Sequence, residues 1–281
     1  MARINDQFLD SVVYVYPTES AARSGEQVGG TGFVIQHLIE GRTDLAVHYI
    51  VTNSHVAVGG VRFVRFNTKS GGIFLVEVLT EQWTHGGVDD VAVIPFALSE
   101  ELSESLKFAP IVWPTMSLLQ EDIPRFYLGV GDEVVMIGRL AHLRGAPSLN
   151  RAVARSGMIA MMPGEPIIDA RNFAVEAFLV EMRSLSGYSG SPVICTIVPG
   201  AWRGLGISQN HGEGHQFVLG IDCGHIKMAS PVVDESGTRV TEKYQVYEHS
   251  GISIVVPAWR IIQLLQDPYL VEQRASAARA N

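Results

Sequence analysis

Three short stretches of this chain carry side chains suited to nucleophilic chemistry. In GYSGSPV (187–193), Ser189 lies in a Gly-rich turn. Such a turn is tight and thrusts the hydroxyl outward. In VTNSHV (51–56), His55 follows a β-branched run and projects from a strand end. In DDVAVI (89–94), an aspartate opens an apolar strand. Each also has an ordinary structural reading: a Gly/Ser turn between strands, a satisfied histidine, an aspartate in a turn. Together they offer more. Acyl transfer by a serine needs a base to take its proton and a carboxylate to hold that base in the right tautomer. The chain order is His55, Asp90, Ser189. The G-x-S-x-G elbow that feeds a helix is a different arrangement. Here Gly187, Ser189 and Ser191 break its spacing, and the PVICTIV that follows reads as a strand.

The elements that must position these residues are mostly strands. Short runs rich in Val, Ile and Phe recur at 11–16, 31–36, 46–52, 61–66, 73–79 and 91–94. They continue at 133–138, 173–182, 192–198, 216–223 and 252–256. Gly, Pro and Asn separate them, which is the pattern of an all-β sandwich or barrel. VRFVRF (61–66) sets Arg62 and Arg65 among apolar residues without clean alternation, so its faces stay open. A short helix is expected over 98–107, capped by Ser99. A better one follows Pro257 in AWRIIQLLQ, whose apolar residues have helical spacing. The tail RASAARAN is expected to fray. The proline-bearing stretch 108–130 reads as the connection between two β units, residues 1–120 and 121–281. No internal repeat is present.

Of the 281 residues, 47% are hydrophobic and 18% charged, enough for a sizeable core and unlike a disordered chain. The 28 glycines follow no three-residue period, which excludes collagen. The net charge of −8 argues against a nucleic-acid partner. No stretch approaches ~18 uninterrupted apolar residues, so no membrane partner is expected. The N-terminus lacks the pattern of a secretory signal, and the default compartment is the cytoplasm. Cys195 and Cys223 allow at most one bridge, which reducing conditions disfavour. HGEGH (211–215) reads as a solvated hairpin tip rather than a metal site, and GVG (129–131) lacks the lysine of a P-loop. No cofactor and no metal are expected.

On these residues the chain resembles trypsin-like serine peptidases of the bacterial HtrA and glutamyl-endopeptidase kind, over roughly residues 10–266. GTGFVI followed by VTNSHV is similar to that family's strand pair leading to the catalytic histidine, here His55. DVAVI is similar to its acid-bearing strand start and points to Asp90 rather than Asp89. VGDEVVMIGR (130–139), GYSGSPV and GISIVVPAWRII (251–262) resemble its second-barrel segments. The resemblance implies a chymotrypsin-like double six-stranded β-barrel with a C-terminal helix and the active site between the barrels. It implies a serine endopeptidase in which Ser189 attacks, His55 moves the proton, Asp90 orients His55, and the backbone N–H groups of Gly187 and Ser189 form the oxyanion hole.

There are departures from the family pattern. Where secreted digestive members carry an acid before the serine, this chain has Tyr188. HtrA proteins usually add a peptide-binding PDZ domain; here a stand-alone protease module is expected. A regulatory protein partner is therefore expected, beside a protein or peptide substrate. The segment LGIDCGH (219–225) resembles the one that pairs with substrate, so Cys223 and Gly224 would offer backbone groups. Arg183, Asp222 and His225 are candidate pocket residues. Asp222 would select a basic side chain and Arg183 an acidic one, or the two would pair with each other. A catalytically silent peptidase-fold module that only holds a peptide is the alternative.

Overall fold

The computed structural model describes residues 3–26, 29–39, 42–139, 149–169, 172–183, 187–197, 202–203, 206–207, 215–241 and 244–280. The first sheet is built from β1 (Val12–Tyr16), β2 (Gly30–Ile39), β3 (Arg42–Thr52), β4 (Phe63–Thr68), β5 (Ile73–Glu77), β6 (Thr84–His85), β7 (Ala92–Phe96), β8 (Leu106–Lys107) and β9 (Ile111–Trp113). Its order is β5-β4-β1-β2-β3-β7-β6, with β8 on β4 and β9 parallel to β2. The second sheet uses β10 (Glu133–Gly138) and β11 (Val153–Met161). A small pair, β12 (Ile167–Ile168) with β13 (Ala174–Val175), precedes β14 (Phe178–Glu181) and β15 (Pro192–Ile197). A second small pair, β16 (Trp202–Arg203) with β17 (Gly206–Ile207), precedes β18 (His215–Pro231) and β19 (Gln245–Pro257). Strands β10-β11-β14-β19-β18-β15 close into a six-stranded barrel.

The expected double-barrel architecture is present, with one difference. The first sheet is a half-barrel: its end strands, β5 and β6, do not pair among the described residues. The core it encloses is completed by Val78 and Trp83 from the β5–β6 connection.

Three cores explain the apolar runs. A half-buried strand alternates apolar and polar residues, but a strand buried on both faces does not. In β1, Val13 and Val15 face the core inside the first sheet, and Val12, Tyr14 and Tyr16 face a middle core shared with the second barrel. In β2 and β3, Val34 and Ile50 point inward while Phe33, Ile35, Tyr49 and Val51 join the middle core. The second barrel answers with Ile137, Ile194, Val218, Ile221 and Val256. Its own interior holds Val134, Met136, Val180, Val193, Cys195 and Val255. Burying a side chain of this size contributes about 1.5–3 kcal/mol, so the middle core binds the two halves firmly.

Helices are short: α1 (Asp6–Asp10), α2 (Glu19–Ser24), α3 (Ser54–Val58), α4 (Glu100–Ser105), α5 (Asp122–Phe126), α6 (Ala258–Leu264) and α7 (Pro268–Ala280). Ser99 caps α4 by accepting the Leu102 N–H. The tail expected to fray is helical through Ala280. Residues 268–280 form α7, because Leu270 enters the middle core and Arg274 anchors the helix from below. Arg274 is 8% exposed, and its guanidinium donates to Tyr49 Oη at 3.1 Å and Leu265 O at 2.6 Å. The open question about β4 is also resolved. Arg62 points outward to Glu77, while Arg65 is buried over the Tyr16 ring and donates to Asn150 Oδ1 at 2.7 Å.

Arg274→Ala leaves the buried Tyr49 hydroxyl without its donor. Hydrogen bonds to charged groups are worth about 1.5–3 kcal/mol, so a loss of about 2 kcal/mol is expected in a denaturant titration. An unchanged midpoint would show that α7 is held by packing alone.

Candidate active site

The antiparallel pair β3–β7 places Thr52 opposite Ala92. The three residues after Thr52 therefore meet the two before Ala92. His55 is not on a strand end but in the first turn of α3, which Asn53 precedes in extended conformation. Two side chains fasten this turn to the start of β7. Asn53 Nδ2 donates to Asp90 O at 2.7 Å, and Ser54 Oγ to Val91 O at 2.8 Å.

The His55 backbone N–H donates to Asp90 Oδ1 at 3.0 Å, and His55 Nδ1 lies 2.5 Å from Oδ2. Asp90 is 1% exposed, whereas a third of the imidazole meets solvent. An ionised carboxylate only accepts, so Nδ1 carries the proton and Nε2 keeps its lone pair. The neighbouring Asp89 turns away. Its Oδ1 lies 3.7 Å from Arg260 Nε on α6, and Arg260 also pairs with Glu176 at 2.7 Å. Burial pushes the Asp89 carboxyl up, and Arg260 opposes that shift.

Ser189 lies in the loop before β15, between Gly187 and Gly190, which have φ of 97° and 89°. That left-handed backbone favours glycine. Gly190 has a second reason: a Cβ there would stand 1.9 Å from Thr31 O and 2.5 Å from Thr52 Oγ1. Tyr188 turns inward instead of outward. It is fully buried, its ring lies under Arg155, and burial pushes its hydroxyl pKa up. Gly138 leaves room for that ring and for Ser191.

The first sheet holds this loop through Thr31. Its N–H donates to Ser189 O at 2.8 Å, and its Oγ1 donates to Gly187 O at 2.6 Å. A Cβ at Gly30 would lie 3.0 Å from both Ser189 O and the Val56 side chain. The serine loop and the His55 helix thus converge over Gly30. Among the described residues, the N–H groups of Gly187 and Ser189 donate to no acceptor, and Ser189 Oγ makes no hydrogen bond.

The candidate pocket residues have different fates. Arg183 is exposed and makes no ion pair among the described residues, so the alternative in which it pairs with Asp222 is not realised. Asp222 is 0% exposed and lies in the ladder behind the serine loop, receiving Gly190 N–H at 2.9 Å and donating to Ser191 O at 2.9 Å. Cys223 is half-buried and Gly224 follows it at a bulge in β18. His225 stacks on His249 at 4.1 Å, and burial with Lys227 nearby holds its imidazole below the usual range. Cys195 and Cys223 are both free thiols, so no bridge joins them. Of HGEGH, only His215 lies within the described residues, and among these no cluster of metal-ligating side chains occurs. No helix among them is long and apolar enough to cross a membrane.

Sequence reasoning missed Asn53, Thr31, Thr52 and Arg260. The two threonines lie within motifs that were legible, but hydrogen bonds across sheets leave no local signal.

No family model matches the chain, and no curated protein is significantly similar to it. Solved structures are similar in fold. The HtrA-type protease AlgW with decapeptide superposes with a TM-score of 0.50 at 14% identity, covering 95% of this chain and 66% of that one. The MamO protease domain from Magnetospirillum magneticum gives 0.48 at 14% identity, covering 93% of this chain and 98% of that one. Deg5 gives 0.47 at 17% identity, covering 92% and 88%. The chain therefore has the trypsin-like double-barrel fold of HtrA-type proteases.

Proposed function

We propose that this protein is a serine endopeptidase. The observation that carries the reading is the buried Asp90 bound to both the backbone and the ring of His55, with Ser189 in a loop that converges on the same helix. Ser189 Oγ attacks the scissile carbonyl while His55 Nε2 takes its proton. Asp90 keeps the imidazole oriented and stabilises the imidazolium. The N–H groups of Gly187 and Ser189, which donate to no acceptor among the described residues, receive the developing oxyanion, each donor being worth about 2.7–4 kcal/mol. His55 then protonates the leaving amine, and water releases the acyl group by the reverse path.

The substrate adds as a strand along Cys223–Gly224. Arg183 is exposed and has no ion pair among the described residues, and Asp222 is buried, which supports an acidic side chain before the scissile bond. The second reading is a silent module that binds a peptide. It is favoured by the missing hydrogen bond on Ser189 Oγ, although such bonds often tighten only when substrate is bound.

A fluorophosphonate probe decides between them. Labelling of the native protein but not of Ser189→Ala is expected. No labelling of either would favour the silent module, and labelling of both would remove Ser189 from the centre. In turnover assays, Asp90→Asn is expected to lower kcat on the order of 10⁴-fold, because the imidazole then adopts the wrong tautomer. Peptide-library cleavage is expected to prefer Asp or Glu before the cut and to lose that preference in Arg183→Glu. An unchanged profile would remove Arg183 from the pocket.

A further inference from the structure

The two bonds from Thr31 are arranged in an informative way. They grip Gly187 O and Ser189 O, the carbonyls of two residues flanking Tyr188. Peptide groups are planar, so holding a carbonyl fixes the whole plane. The planes after Gly187 and after Ser189 are thereby fixed, and the plane between them is the one that bears the Ser189 N–H. Gly187, at φ 97°, joins the first of these planes to its own N–H.

The Thr31 hydroxyl has a defined direction. The backbone N–H of Arg139 donates to Thr31 Oγ1 at 3.2 Å, so the hydroxyl accepts on that side and gives its proton to Gly187 O at 2.6 Å. Thr31 is itself fully buried, and Thr52 Oγ1 donates to its carbonyl at 2.7 Å. No rotation of the side chain is needed to make these bonds, and solvent does not compete for them.

We propose that Thr31 is a positioning residue for the oxyanion hole: from the first sheet, it sets the peptide planes that aim the Gly187 and Ser189 N–H groups into the cleft. The inference rests on the endopeptidase reading for its chemical consequence, but the geometry it describes can be tested without turnover. A purely structural threonine would contribute packing and strand propensity, which valine supplies equally well.

Thr31→Val keeps the shape and the backbone N–H and removes the hydroxyl. Thr31→Ser keeps the hydroxyl. The readout is the second-order rate of Ser189 labelling by a fluorophosphonate, with thermal unfolding alongside. Thr31→Val is expected to label at least ~10-fold more slowly, and Thr31→Ser to recover to within about threefold of the native rate, since a weakened oxyanion site lowers transition-state binding. A native rate in folded Thr31→Val, or an equal deficit in both variants, would overturn the proposal. Should Thr31→Val not fold, Thr31→Ala takes its place with the same criteria. If the native protein does not label, the endopeptidase reading fails. Amide hydrogen exchange across 187–191 then tests the positioning alone. Faster exchange in Thr31→Val but not in Thr31→Ser upholds it, and equal exchange overturns it.

Discussion

In the proposed reaction centre, base and nucleophile come from different halves of the molecule, so its accuracy is that of the contact between the halves. The turn that carries His55 and the residue Asp90 are joined to strands of the first sheet, and Ser189 lies in the loop before β15 of the second barrel. The contact is therefore made twice, in two kinds of physics. The middle core supplies most of the free energy, through close-packed apolar side chains that resist small displacements. The polar bonds supply direction. Thr31 reaches the serine loop, Arg139 donates to Tyr16 and Gly25 from beyond β10, and Arg260 stands between Asp89 and Glu176. Packing without these bonds would leave the cleft shaped but not aimed.

The same division explains what could be read from the residues. VVYVY in β1 and PVICTI in β15 are continuous apolar runs because both of their faces are buried, so composition alone marks them as strands. His55, Asp90 and Ser189 stood in recognisable local contexts, and the antiparallel pairing of β3 with β7 makes the first two meet. Strand β11 was not legible. Arg155, Ser156 and Gly157 interrupt its apolar residues, and Gly157 is there because a Cβ would strike Glu181 O on β14 at 2.3 Å. The run 173–182 reads as one strand but divides into β13 and β14.

Polar side chains placed by tertiary structure were the least legible. Arg65 lies in a run whose pattern leaves its faces open, and Arg274 in a tail expected to fray, yet each is buried against tyrosine. A guanidinium in such a place is stable only when its donors meet fixed acceptors, and those acceptors come from distant parts of the chain. The same applies to Asp222. Its position in the chain suggested a pocket wall, and its burial follows from the bulge and ladder that β18 forms with the serine loop. The half-barrel is a similar case. Strand lengths and runs predict its members, but closure depends on whether the end strands β5 and β6 reach each other, which no local pattern encodes.

The shared middle core has an effect on how the chain comes together. Phe33, Tyr49 and Trp113 from the first half and Ile194, Val218 and Ile261 from the second are buried against a common core. Either half made alone would present that surface to water, as an adhesive patch rather than a finished exterior. The halves are thus not autonomous folding units, however separate their sheets look. Each is the other's missing wall, and a single cooperative unfolding transition is the expected consequence. Any recombination of such halves between relatives would have to match the seam before it could alter the chemistry.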